Sequence, residues 1–137
     1  MNERLAEWII EQTTDALIYS DTRGIIARWN AAATELFGFT RDEAVGASVE
    51  LIIPERLRPG HWAGFNRAIA EGSTRLSGRP TLTRALHKSG DKLYVEMTFA
   101  LVKDPSGEVI GTVAIARNAK ERVERERALK ATPTSGT

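Results

Sequence analysis

The hydrophobic period of the sequence changes near residue 80. Three runs rich in β-branched and aromatic residues follow it, at residues 81–87, 92–102 and 109–117. The segments 88–91 (KSGD) and 104–107 (DPSG) separate these runs, and each carries the glycine that a tight turn favours. Runs of this length joined by such short turns predict three long antiparallel strands.

The first 29 residues predict one helix and one hairpin. Leu5, Trp8 and Ile9 recur at helical spacing between charged residues, which indicates an amphipathic flanking helix over residues 1–13. Two apolar runs, 16–20 and 25–29, then border the turn-forming segment 21–24 (DTRG). This arrangement is typical of a β-hairpin.

Capping signals predict a string of short helices over residues 30–57. Asn30 precedes an alanine-rich run and can accept hydrogen bonds from the first helical turn. Thr40 and Glu43 have the spacing of a capping box. Residues 61–70 form a further helical segment, which Gly72 ends. The order of elements predicts an α+β domain, with a five-stranded antiparallel sheet, short helices on one face and amphipathic flanking helices.

Composition excludes several classes of protein. The 137 residues are 42% hydrophobic, which suits one domain with one core. No cysteine is present, so disulfides, thiolate catalysis and sulfur-attached chromophores are excluded. No apolar stretch reaches the roughly 18 residues of a membrane span, and we expect a cytoplasmic protein without a membrane partner. No phosphate loop, nucleophile elbow or HExxH motif occurs, so we expect no enzyme.

Five short motifs in register resemble the PAS family of sensor domains. They are DxxG at 21–24, WNxAA at 29–33, LFGF at 36–39, ExxG at 43–46 and KSGD at 88–91. The resemblance runs from about Glu11 to Glu121. It implies a PAS fold whose sheet and short helices enclose a pocket, a sensor domain over residues 14–118, and flanking helices that carry signals. The polar segment 119–130 is then a linker helix towards an effector such as a kinase or transcription regulator, and the composition of residues 131–137 predicts a disordered tail.

The candidate pocket residues combine apolar side chains with a few polar or charged groups. For each aromatic or aliphatic candidate, ordinary core packing is the alternative. The candidates are Trp29, Phe37, Ile52, His61, Phe65, Arg67, Arg79, Tyr94, Met97 and Phe99.

The identity of the ligand stays open from the sequence. Seven cations and one anion lie between residues 56 and 88. If Arg67, Arg75 and Arg79 converge at the pocket mouth, they favour a carboxylate or phosphate, whereas the alternative is a solvated basic face. A small organic or anionic ligand is therefore our first expectation.

Haem and flavin rank behind that ligand. PAS domains that sense oxygen bind haem through a histidine of the long helix, and His61 lies in the equivalent helix. When residues 58–61 and Gly72 are matched to the same features of those sensors, the resemblance places the iron-ligating position on Arg67, which stays protonated and cannot ligate. A histidine beside Pro-Gly at a helix start is also more often a surface or capping residue, so we place a haem-based gas or redox sensor that uses His61 second. We do not expect flavin, because the cysteine motif of the light-sensing subclass is absent.

Two further expectations concern partners. The apolar stripe of Leu5, Trp8 and Ile9 would be exposed on a lone helix, and it predicts a homodimer. A dimerisation module with no ligand is therefore an alternative function. The basic residues of the middle segment are not interleaved with exposed aromatic residues, so we expect no direct nucleic-acid binding.

Overall fold

The computed structural model describes residues 2–74 and 79–131. Its first half contains α1 (Asn2–Gln12), β1 (Ala16–Asp21), β2 (Ile26–Trp29), α2 (Ala31–Phe37), α3 (Arg41–Ala44) and two 3₁₀ turns, Val49–Ile52 and Glu55–Leu57. Its second half contains α4 (Arg58–Glu71), β3 (Thr81–Leu86), β4 (Lys92–Lys103), β5 (Val109–Asn118) and α5 (Lys120–Ala131). Ala131 thus ends a helix, and residues 132–137 of the predicted tail lie outside the described residues.

The five strands form one antiparallel sheet in the order β2-β1-β5-β4-β3. Six residue pairs join β1 to β5, from Ala16 opposite Ala116 to Asp21 opposite Gly111. This pairing docks the N-terminal hairpin on the three C-terminal strands. The predicted α+β class and five-stranded antiparallel sheet are confirmed.

Local sequence explains the helix boundaries. The Asn30 side chain accepts from the backbone N–H of Ala33, and Gly38 ends α2 with a φ of 84°. At α3, the Thr40 and Glu43 side chains each accept from the other residue's backbone N–H, as a capping box predicts. Short helices can therefore follow one another closely between β2 and β3.

The core lies between the sheet and the helices on one of its faces. Ile18, Val95 and Ala116 point into it from three neighbouring strands, and Trp29 and Phe37 are fully buried beside them. Residues that alternate with these along each strand face the opposite side.

The C-terminal helix α5 packs against that opposite side. The backbone N–H of Ala119 donates to the Tyr94 carbonyl over 2.8 Å, and Val123 is buried. Arg127 donates to the Tyr94 hydroxyl over 2.7 Å. The linker helix therefore begins on the outer face of β4. None of the helices in the described ranges is long and apolar enough to cross a membrane.

Candidate functional site

A cavity of about 530 Å³ lies between the sheet and α4. This volume falls within the range of about 300–1,000 Å³ that is usual for small-molecule pockets. Its walls are mainly apolar, and the sheet contributes Ile18, Met97, Phe99 and Ala114. The cavity can therefore hold an organic ligand of moderate size.

Strand alternation decides which side chains form the sheet wall. Met97 and Phe99 lie on the same face of β4 as the buried Val95. On β3, Thr83 pairs with Val95 and Thr81 pairs with Met97, so both hydroxyl-bearing residues line the cavity. The sheet wall is thus apolar with hydroxyl groups along β3.

A second pair of hydroxyls lies deeper in the sheet. Ser20 Oγ and Thr112 Oγ1 are 2.9 Å apart, and both residues are buried at the cavity wall. The Ser20 hydroxyl also donates to the Asp21 carbonyl over 3.2 Å. The sequence analysis predicted none of the four cavity hydroxyls. For the two on β3, the i, i+2 spacing of Thr81 and Thr83 was a signal that both side chains share one face of the strand.

The helix wall comes mainly from one stripe of α4. His61, Phe65 and Ala68 recur at i, i+4 and i+7 and all line the cavity, as does Arg67. The Pro-Gly at the start of this helix places His61 in its first turn, after Leu57. The helix therefore presents a histidine and an arginine to the same cavity.

His61 occupies an unusual environment. Within the described ranges, its Nε2 is the one buried side-chain nitrogen or oxygen that has no hydrogen-bond partner. Burial lowers the pKa of His61 below its usual 6.5, and the Glu50 carboxylate offsets this only in part. The imidazole is therefore neutral at pH 7. The expectation that His61 is a surface or capping residue is wrong, because the packing of α4 turns its ring against the cavity.

Six of the ten sequence candidates come together in this cavity. They are Ile52, His61, Phe65, Arg67, Met97 and Phe99.

Four candidates lie outside the cavity lining: Trp29, Phe37, Tyr94 and Arg79. The Trp29 ring packs 5.7 Å from the Phe37 ring in the core, and its Nε1 donates to Thr34 Oγ1 and to the Phe39 carbonyl. Tyr94 lies on the outer face of the sheet under α5.

Arg79 is exposed outside the lining, and Arg75 lies outside the described residues. Of the three arginines expected at the pocket mouth, the structure places Arg67 at the cavity.

Comparison with known proteins assigns the family. A family model described as PAS fold matches residues 10–124. The chain belongs to the PAS family. PAS domains are typically sensory modules, and those of sensor kinases are linked to effector domains and often dimerise. The predicted resemblance is confirmed.

Two of the curated relatives are sensor proteins of bacteria. The oxygen sensor protein DosP of Escherichia coli is 26% identical over 118 residues, which cover 85% of this chain and 14% of DosP. The sensor protein FixL of Bradyrhizobium diazoefficiens is 40% identical over 59 residues, which cover 43% of this chain and 12% of FixL. The chain thus spans less than a fifth of the length of the curated relatives it matches.

Solved structures show the same fold. A PAS domain from Colwellia psychrerythraea superposes with a TM-score of 0.76 at 20% identity, over 89% of this chain and all of that one. The PAS domain of Bordetella pertussis BvgS gives a TM-score of 0.69 at 19% identity, over 94% of each chain. These superpositions show that the chain has the PAS fold, and the family match makes it a PAS domain homologous to bacterial sensor proteins.

Proposed function

We propose that this PAS domain is a gas or redox sensor that binds haem in its cavity, with His61 Nε2 as the axial ligand to the iron. The observation that carries the proposal is the His61 side chain at the wall of an apolar cavity, whose buried Nε2 has no hydrogen-bond partner among the described residues. A buried polar atom without a partner costs about 1–3 kcal/mol, so native proteins keep few of them. Metal coordination would satisfy this nitrogen.

The remaining residues fit a haem. Neutral imidazole is the form that binds metal, and burial favours it here by lowering the pKa of His61. Met97, Phe99 and Phe65 provide an apolar environment, and Arg67 offers a guanidinium to the carboxylates that haem carries. When bound, haem supplies an iron that binds diatomic gases or changes redox state. The named oxygen-sensing role of DosP supports this choice.

The first experiment is titration of the purified protein with haemin, followed by absorption from 300 to 700 nm. The chain has two histidines, which provides a matched pair of variants. His87 lies against Gly38 and bonds to Ser89, outside the cavity lining. We expect a Soret band for the wild type and for His87→Ala, and its loss or shift for His61→Ala. No Soret band in the wild type, or an unchanged band in His61→Ala, would refute haem ligation by His61.

Substitution of Arg67 tests whether the ligand carries acidic groups that bind the guanidinium. Arg67→Ala should weaken haemin binding, whereas Arg79→Ala should leave it unchanged because Arg79 lies outside the lining. If haemin does not bind but a small organic carboxylate does so in an Arg67-dependent way, the cavity belongs to an anionic ligand instead.

We also propose that the domain forms a homodimer through α1 and thereby controls an effector. Glu7 on α1 bonds to Arg28 over 2.9 Å, and the Ile10 carbonyl accepts from Asn30, so the helix is fixed to the domain. The opposite stripe remains open, with Leu5 52%, Trp8 56% and Ile9 60% exposed. This stripe is apolar enough to drive association.

Light scattering after gel filtration tests the dimer. Trp8→Asp should yield monomer, while Leu129→Asp, which changes a still more exposed apolar residue on α5, should not. A Trp8→Asp protein that remains dimeric places the interface elsewhere.

A further inference from the structure

We propose that Trp62 is a positioning residue that holds the His61 imidazole against the cavity wall, and that Glu50 and Gly24 fix Trp62 in place. This inference rests on the proposed function, because it assigns a supporting shell to the proposed axial ligand.

The His61 imidazole contacts two aromatic rings. The Trp62 ring centroid is 4.8 Å away in an edge arrangement of 76°, and the Phe65 ring centroid is 5.7 Å away. Trp62 and Phe65 also contact each other at 5.2 Å. Because Nε2 forms no hydrogen bond with the described residues, that nitrogen does not orient the ring. Its orientation therefore depends on these aromatic contacts.

Trp62 is itself held on two sides. Its indole N–H donates to Glu50 Oε1 over 2.7 Å, which is a short bond to a charged acceptor. The far edge of the ring lies directly against the β1–β2 turn, because a Cβ added to Gly24 would come within 2.3 Å of Trp62 Cη2. The indole thus cannot move towards the turn. Movement away from Glu50 would break its charge-assisted hydrogen bond to that carboxylate.

Glu50 also anchors the first turn of α4. Arg58 donates from Nη2 to the Glu50 carbonyl over 3.3 Å and from Nε to the Ile53 carbonyl over 3.1 Å. Glu50 therefore receives bonds from two residues, one helical turn apart, that lie on either side of His61. Rotation of α4 about its axis would turn His61 away from the cavity and break both bonds. These contacts fix the helix in the rotation that exposes His61 to the cavity.

Two glycines provide a matched test. Gly24 and Gly46 both have a positive φ, of 82° and 91°, so alanine strains the backbone at either position. A Cβ at Gly24 would displace Trp62, whereas a Cβ at Gly46 would meet no atom within 4 Å. Both variants therefore carry a similar backbone strain. A change in the His61 signals or in haemin affinity that occurs in Gly24→Ala alone reports on the position of Trp62.

The readouts are the ring signals of His61 in haem-free protein, by NMR, and haemin affinity. Ring currents of Trp62 and Phe65 shift the His61 signals, so movement of Trp62 changes them. We expect Gly24→Ala to change these signals and to weaken haemin binding by about tenfold or more, as loss of supporting contacts does at other metal ligands. Gly46→Ala should retain the wild-type signals and affinity.

A second pair of variants covers the case in which Gly24→Ala does not fold. Glu50→Ala removes the acceptor of the indole N–H, whereas Glu50→Gln keeps an oxygen that can accept it. Glu50→Ala should reproduce the effects expected of Gly24→Ala, and Glu50→Gln should retain the wild-type His61 signals. Unchanged His61 signals in both Gly24→Ala and Glu50→Ala would overturn the positioning role. Absence of haemin binding in the wild type would overturn the proposed function instead, and the NMR comparison would still decide the role of Trp62.

Discussion

Replacement of Asn30 by alanine should destabilise this domain far more than loss of an ordinary helix cap. The Asn30 side chain is buried and makes four hydrogen bonds. Its oxygen accepts from the backbone N–H of Ala33, as a cap does, and from that of Leu17 in β1. Its amide donates to the Ile10 carbonyl at the end of α1 and to the Asp15 carbonyl. One side chain thus joins α1, β1 and α2.

The size of the effect follows from these partners. Loss of a helix cap costs about 1 kcal/mol. Each buried backbone group left without a partner costs about 1–3 kcal/mol, and water can reach the part-buried ones in the variant. We therefore expect Asn30→Ala to lower the free energy of unfolding by about 3–4 kcal/mol.

Urea unfolding followed by circular dichroism measures this loss. At a slope of about 2 kcal/mol per M, the midpoint should fall by about 1.5–2 M. Thr40→Ala is the control, because it removes an exposed cap and should cost about 1 kcal/mol. If the two variants differ by less than about 1 kcal/mol, the tertiary hydrogen bonds of Asn30 contribute little and the reasoning is refuted.

Three further predictions concern the sheet, α5 and pH. Gly111→Ala places a Cβ 2.2 Å from the backbone oxygen of Ser20, so thermal unfolding should show a loss of at least about 2 kcal/mol; unchanged stability would contradict this packing. Tyr94→Phe removes the hydroxyl that accepts from Arg127, so limited proteolysis should cut α5 faster than in the wild type, and equal rates would contradict the docking. Burial lowers the pKa of His61 below 6.5, so the unfolded chain binds the proton first as the pH falls. The free energy of unfolding should then decline as the pH falls through about 6.5, and His61→Ala should reduce that decline. An identical dependence of the unfolding free energy on pH in both proteins would refute this effect of His61.

Much of the fold could be predicted because its signals are local. The caps at Asn30 and Thr40 involve atoms three residues apart, and the strand runs show their period within a few residues. Turn glycines act through their own φ angle. Such features depend on near neighbours in the chain, so the sequence alone indicated the order of helices and strands and the five-stranded sheet.

The candidate site depended on contacts between distant segments. No local sequence signal separates His61 from His87, yet one lines the cavity and the other packs on Gly38. Tyr94 and Met97 belong to the same strand, but alternation about the buried Val95 sends them to opposite faces. Which face meets the cavity depends on the side of the sheet on which α4 lies.

Local sequence patterns were therefore enough to predict the elements, their caps and the family of this domain. That the histidine of α4 lines an apolar cavity follows from tertiary packing. The physical reason is that each residue turns a helix by about 100°, so the direction of a side chain depends on how the whole helix is held. Here Glu50, twelve residues from Trp62, fixes that rotation through the indole N–H.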